Sequence, residues 1–344
     1  MNDKKEITFV SKIRSLIWLL VKYLIAFSII GYLIFNNYHS FLNALEEIDL
    51  SWLIFAMIGY FLMMVSQALR WYMLLKVQGI MVSFFETFSL TMQGVFFSLV
   101  IPGGAIGGDL VRTTFLVSRT PSGNKLAATS TVFMDRFMGM FAQFLFALIF
   151  AVPFIASFER MDNTLKYTII LILIISALGL VAGFCLVIHR RIEKLPGISF
   201  LIKFADKLTK GFVTRTFEIL DVYHSQKMVM IYCVLISMVM TQLLMSFLLF
   251  LIAKGIHCAN IIINPLILSI ALGNTAGLLP ITPGGLGTRD AVVKATLTAG
   301  GYSSGDAVAM PLLLSIIMLV VSISGGLFFL FHKRSKREYK IIKE

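Results

Sequence analysis

Charge is what this chain has least of: Asp, Glu, Lys and Arg make up 14% of its 344 residues, against 58% hydrophobic residues and a mean hydropathy of +0.88. The length alone would suggest two soluble domains, and that balance excludes them; the chain reads as a membrane protein. Cysteine is almost as scarce. Cys185, Cys233 and Cys258 show no CxxC spacing and no even-numbered framework, which argues against a disulfide scaffold. The five histidines are scattered near predicted segment ends with no pair at ligand spacing, so neither a metal site nor another cofactor is expected. No nucleophile and base pair is visible, and the Gly-rich runs lack the Lys-Ser/Thr of a P-loop, so no enzyme acting by itself is expected.

What is present is apolar and long. A hydrocarbon core of ~30 Å needs about 20 apolar helical residues. Six stretches qualify: Leu16 to Phe35, Leu50 to Leu69, Leu126 to Phe150, Tyr167 to Ile188, Met228 to Ala253 and Ala307 to Phe331. The first exceeds the h-region of a signal peptide and is followed by no A-x-A-like site, so it reads as a retained anchor. Two further apolar stretches, Phe84 to Ile101 and Pro265 to Thr282, each run into a Pro-Gly-Gly and then a short arm, Leu110 to Ser118 and Ala291 to Gly301. At ~1.5 Å per residue such arms reach about half-way through a bilayer, which predicts re-entrant hairpins over 84–118 and 265–301.

The formal net charge of +12 would suggest nucleic acid in a soluble chain, but its placement follows membrane orientation. With the N-terminus inside, six spans and two hairpins returning to their own side, 25 of the 30 basic residues fall on the cytoplasmic half; the exceptions are Arg160, Lys166, Lys254, Arg289 and Lys294. No nucleic-acid partner is needed. Residues 189–227 form the longest soluble stretch. Leu201, Phe204, Ala205, Leu208 and Phe212 keep helical spacing there, opposite Lys203, Lys207 and Lys210, as in an amphipathic helix on the inner leaflet or a solvated helical connector.

Composition predicts far fewer than one Pro-Gly-Gly, yet two occur, aligned at an offset of 181. Pro102-Gly103-Gly104 matches Pro283-Gly284-Gly285, Asp109 matches Asp290 and Val111 matches Val292. Three spans separate the copies, an odd number, so they should point in opposite directions as an inverted-topology repeat. The expected fold is therefore all-α and polytopic, six transmembrane helices plus two re-entrant hairpins in one integral membrane domain.

A helix broken inside a membrane leaves backbone N–H and C=O groups in want of a polar guest, at several kcal/mol each. Freed N–H groups around Gly103, Gly104, Gly284 and Gly285, at positive helix ends expected to start near Asp109 and Asp290, would favour an anionic headgroup. Arg112, Arg136 and Arg289 offer guanidinium forks to its phosphate. Other roles are open to each residue. Asp109 and Asp290 suit helix N-caps, or local pairs with Arg112 and Lys294. Asp135 and Arg136 form an ionisable pair deep in the third span, from which Arg136 could also snorkel to the surface. Arg70, beside Trp71 and Tyr72, suits an interfacial anchor as well as a site. Gln67, Gln93, Gln143, Gln242 and Asn274 suit interhelical hydrogen bonds.

Four segments carry a resemblance: Ala68-Leu69-Arg70-Trp71, Pro102 to Arg112, Met134-Asp135-Arg136-Phe137-Met138-Gly139 and Leu279 to Asp290. In that order they resemble the lysylphosphatidylglycerol synthase transmembrane region, also called the flippase-like or UPF0104 family. The resemblance implies a multi-pass protein of the bacterial inner membrane, with both termini cytoplasmic, that moves an anionic, aminoacylated or polyprenyl-phosphate-linked lipid between leaflets. It also implies possible association with envelope-lipid synthesis enzymes. With no soluble stretch longer than 39 residues, no aminoacyltransferase domain and hence no synthase activity is expected; Asp290 stands where the family is expected often to carry Glu. Two alternatives stay open: a secondary transporter of a small anionic solute, coupled through Asp109, Asp135 or Asp290, and a non-transporting subunit of an envelope-lipid enzyme.

Overall fold

The computed structural model describes residues 2–46, 48–101, 104–151, 163–187, 221–278, 282–331 and 339–341; apart from one two-stranded ribbon, the regular elements there are helical. Helices α1 (Asn2–Phe35) and α2 (Tyr38–Glu46) precede a four-helix unit of α3 (Leu50–Val77), α4 (Phe84–Val100), α5 (Ala105–Ser118) and α6 (Lys125–Ala151). After α7 (Asn163–Val187) comes a second unit. It begins with α8 (Lys227–Ile236), passes through a π-helical turn at Ser237–Leu243 into α9 (Leu244–Gly255), and ends with α10 (Ile263–Gly277), α11 (Thr288–Ala299) and α12 (Ser304–Phe331). Moving the first unit forward by 181 residues lands on the second with every helix end agreeing within four residues. The repeat is thus four elements long, well beyond the motif that reveals it.

Five helices, Leu50–Val77, Ser122–Ala151, Lys166–Phe184, Lys227–Gly255 and Ser304–Phe331, are long and apolar enough to cross a membrane, and the protein is a multi-pass membrane protein. The stretch expected as a first span lies in α1, whose apolar part, Leu20–Phe35, is shorter. One boundary needs correction. The second span does not stop at Leu69 but continues to Val77, because Arg70 is neutralised inside the bundle rather than anchored at its surface. The predicted amphipathic connector lies outside the described residues up to 220; the helical turn at 221–225 buries Tyr223 against Leu74, Met134, Met138 and Cys233.

Local chemistry sets the breaks. Ser83 caps α4 by accepting the Glu86 N–H at 3.2 Å. At its other end Ile101, which precedes Pro102, is extended (φ −95°, ψ 137°), as a pre-proline residue must be, and the helix stops. Gly104 (φ +57°) and Gly287 (φ +79°) then start α5 and α11 from conformations that a side chain would strain.

Each unit folds its middle two helices into an antiparallel hairpin. In the first, Gly94 lies against both Gly108 and Arg112, and a Cβ on Gly108 would collide with the Gly94 carbonyl. In the second, Gly273 lies against Val293 and Arg289, and Gly277 against Gly285. The first hairpin opens where α3 and α12 have their C-terminal ends. There β1 (Ile80–Met81) pairs antiparallel with β2 (Lys340–Ile341), the Tyr339 hydroxyl donates to Glu86 at 2.6 Å, and Arg119 pairs with the same carboxylate. The second opens at the opposite end of the bundle, where α3 and α12 begin: the Tyr302 hydroxyl donates to the Ile262 carbonyl at 2.9 Å, and the Asp49 N–H to the Gly255 carbonyl at 2.8 Å.

The hairpins are held by exchange between units. Helix α12 packs on α4, Gly325 resting against the Met92 backbone, and α6 packs on α10 through Gln143, whose amide donates to the Ala271 carbonyl at 2.7 Å and to Thr275 at 2.9 Å. Between them Gly59 of α3 lies on Leu248 of α9, within a core that includes Tyr60, Met64, Met92, Leu249, Leu297 and Met310.

Candidate functional site

The tips of the two hairpins meet. The Cβ position of Gly104 is 3.6 Å from the Gly284 nitrogen, and Gly284 in turn lies beside Leu99. Helix α1 seals the junction from one side: the Tyr23 hydroxyl donates to the Leu99 carbonyl, and the Cβ position of Gly287 is 3.0 Å from the Ala26 carbonyl. Gly285 (φ +75°) turns the second tip and packs on Gly277. Pro102 and Gly103 lie outside the described residues.

A charged cluster sits behind each tip. Behind the first, Asp135 of α6 is shared: Arg70 Nε of α3 donates to Oδ1 at 2.7 Å and Arg112 NH2 of α5 donates to Oδ2 at 2.9 Å. The Asp135 side chain is only 4% exposed and both arginines are buried with it. Desolvating three charges costs several kcal/mol each, so this triad persists only because each carboxylate oxygen has a guanidinium. Arg70 is finished by the Ser237 hydroxyl at 2.6 Å, which belongs to the π-helical turn and itself donates to the Cys233 carbonyl at 2.8 Å. Arg112 lies 3.9 Å over the Trp71 ring, whose indole N–H donates to Thr131 at 3.1 Å. One step toward the tip, Arg136 Nε donates to Asp109 Oδ2, and its NH2 points at the Ala105 carbonyl of the first turn of α5 at 3.4 Å. Arg136 is 43% exposed, unlike the two buried arginines.

The second cluster is sealed. Asp290 has no exposed surface; it accepts the Gly287 N–H at 2.9 Å, the Ser315 hydroxyl of α12 at 2.7 Å and Arg289 NH2 at 3.1 Å. Arg289 also donates to Ser315 and approaches the Met318 sulfur, while its Nε has no partner among the described residues.

Of the residues selected from sequence, Arg70, Asp109, Arg112, Asp135 and Arg136 come together behind one tip, and Gly284, Gly285, Arg289 and Asp290 form the other, with Gly104 at their junction. Two local expectations are corrected and a third is qualified. Asp109 and Asp290 are not N-caps, since positive-φ glycines let α5 and α11 start earlier, at Ala105 and Thr288. The expected Asp109–Arg112 pair is present but long, at 4.0 Å, because Asp135 draws Arg112 inward and Asp109 also pairs with Arg136. Asp290 turns back to its own helix start and to α12 rather than forward to Lys294. The polar residues of the spans do bridge helices: Gln143 as described, and Asn274 to Gln242 at 3.1 Å. Sequence reasoning missed Ser237 and Ser315. The repeat does not find Ser315, since the offset of 181 carries Arg136 onto Ile317, and nothing in the sequence marks the π-helical turn that presents Ser237.

Among curated proteins the chain is similar to the UPF0104 membrane protein MJ1595 of Methanocaldococcus jannaschii, 24% identical over 342 residues that cover 93% of this chain and 96% of that protein. It is also similar to the UPF0104 membrane protein PH1989 of Pyrococcus horikoshii, 26% identical over 101 residues, 29% of this chain and 30% of that one. No solved structure matches. A family model, that of the lysylphosphatidylglycerol synthase TM region, matches residues 19–325, nearly all of both repeat units and the α1 segment that touches the tips, and the chain belongs to that family.

Proposed function

We propose that this protein is a lipid transporter of flippase type, passing the headgroup of an anionic, aminoacylated or polyprenyl-phosphate-linked lipid between leaflets through the junction of its two hairpins. The observation that carries the reading is the tip-to-tip contact of Gly104 with Gly284 between hairpins that open at opposite ends of the bundle. In a bilayer such hairpins are re-entrant, one from each face, and the broken backbone at their tips needs polar partners that a headgroup can supply. With the basic residues inside, both termini are cytoplasmic in the cell membrane, α1 completes six spans, and the first hairpin is the inner gate and the second the outer. Arg136 behind the first tip is the guanidinium a phosphate would meet in this conformation, and the buried Arg112 and Arg289 would be reached only as a tip opens; the chain would need neither a cofactor nor catalytic chemistry of its own, and association with envelope-lipid synthesis enzymes would place it next to its lipid.

The test is reconstitution into liposomes with tail-labelled anionic lipids and an impermeant quencher. Leaflet exchange faster than in empty vesicles, abolished by Arg112→Ala and by Arg289→Ala in variants that still fold, is the expected result. No acceleration across several anionic lipids would refute the proposal.

A further inference from the structure

The first cluster has unequal charges. Among the described residues, Arg70, Arg112 and Arg136 face Asp109 and Asp135, three guanidiniums against two carboxylates; the neighbouring polar groups, Ser237, Thr131 and the Trp71 indole, carry no charge. The second cluster balances, Arg289 against Asp290. The surplus is also localised: it belongs to the buried triad, where Asp135 spends one oxygen on each of two arginines. The balanced pair beside it, Asp109 and Arg136, is the part that reaches the surface, one helical turn from the tip. Nearby, Arg112 keeps its buried Nε unpartnered among the described residues. Asp109 occupies Arg136 at the place an incoming oxyanion would use.

We propose that Asp109 is a specificity-determining residue: it competes with the ligand for Arg136 and so tunes the cluster to an oxyanion of single charge, such as a phosphodiester, over one of double charge. A singly charged guest cancels the surplus of one; a doubly charged guest leaves an uncompensated negative charge beside Asp109. This rests on the proposed function for its ligand class, but it is a statement about binding and not about transport.

The experiment is equilibrium binding by calorimetry to the full-length protein in a neutral detergent at pH 8. The probes are dihexanoyl phosphatidylglycerol (one charge), dihexanoyl phosphatidic acid (close to two charges at this pH), dihexanoyl phosphatidylcholine and inorganic phosphate. The wild type should bind phosphatidylglycerol at least as tightly as phosphatidic acid. Asp109→Asn raises the surplus by one and should shift the ratio of the two affinities about tenfold toward phosphatidic acid, the order expected for one partly screened charge. Asp109→Glu should keep the wild-type ratio. Arg136→Gln should weaken both anions. Because Asp109→Asn leaves Arg136 unpaired, Asp109→Asn/Arg136→Gln, with the wild-type surplus, serves as the folding control and should return to the wild-type ratio.

Inorganic phosphate binding as tightly as the lipids would support the charge rule while assigning the site to a free anion. An unchanged ratio in Asp109→Asn, or phosphatidylcholine bound as tightly as phosphatidylglycerol, would overturn the proposal. Absence of leaflet exchange in liposomes with the charge rule intact would instead refute only the transport reading.

Discussion

In the first hairpin Asp109 reaches forward to Arg136 of the following helix, and in the second Asp290 reaches forward to Ser315 of the following helix, at nearly the same spacing. The carboxylates are equivalent in the repeat, and their surroundings are not. Asp109 faces an arginine that is partly open, beside a triad holding two more; Asp290 is closed in by a glycine N–H, a serine and its own neighbour Arg289. Duplication explains the common backbone, since both halves must satisfy a broken helix in the same way. The difference in charge teaches that a common backbone carries two unlike clusters: the second is balanced and sealed, while the first holds a surplus positive charge in its buried triad beside a partly exposed, balanced pair.

The comparison is broken most severely by taking the shared acid from the first cluster. Asp135→Ala leaves Arg70 and Arg112 buried without a counter-charge and should cost about 3–5 kcal/mol, or abolish folding. Asp290→Ala strands one guanidinium instead of two and should cost less. Thermal unfolding of both variants in detergent gives the order, and equal losses would contradict the difference between clusters.

Close packing sharpens the comparison next. A Cβ on Gly108 would stand 2.1 Å from the Gly94 carbonyl, backbone that cannot yield, whereas a Cβ on Gly273 meets the Val293 side chain at 2.5 Å and backbone no closer than the Arg289 carbonyl at 3.3 Å, a milder clash. Gly108→Ala should therefore cost about 1–3 kcal/mol and Gly273→Ala less, read as a larger drop in melting temperature for the first.

How much of this was legible follows from the same physics. Hydropathy located five of the six expected spans because a bilayer demands continuous apolar helix, and Pro-Gly-Gly located the breaks because proline ends a helix and glycine turns it. The offset of 181 then implied oppositely directed copies, and the contact of Gly104 with Gly284 fits that expectation. Charge was harder to read. Arg70 looked like the end of a span because its partner, Asp135, is 65 residues away. Spacing suggested Asp290 with Lys294, but a three-dimensional cage around Gly287 and Ser315 competes better than a helix surface. The helix starts were misplaced because glycines at positive φ begin a helix without a side-chain cap, and the π-helical turn has no signature in composition.

The smallest expected effect concerns the open end of the second hairpin. Burial, with the nearby Asp306 carboxylate adding to it, pushes the Cys258 thiol up to about 11. At pH 8 its thiolate should be scarcer than that of an ordinary thiol by on the order of a hundredfold. Maleimide labelling should be correspondingly slow, rise with pH toward 11, and speed up in Asp306→Asn; fast, pH-insensitive labelling would show that this loop is looser than described.

That same thiol offers the most direct test of oppositely opening hairpins. In a chain lacking the other cysteines, Cys258 marks the mouth of the second hairpin; in a chain lacking Cys258 as well, Ser122→Cys, exposed between α5 and α6, marks the mouth of the first. With an impermeant maleimide and long incubation, Cys258 should be modified on intact cells and Ser122→Cys only after the membrane is opened. Modification of both from the same face would place the two hairpins on one side and remove the basis for a passage between leaflets.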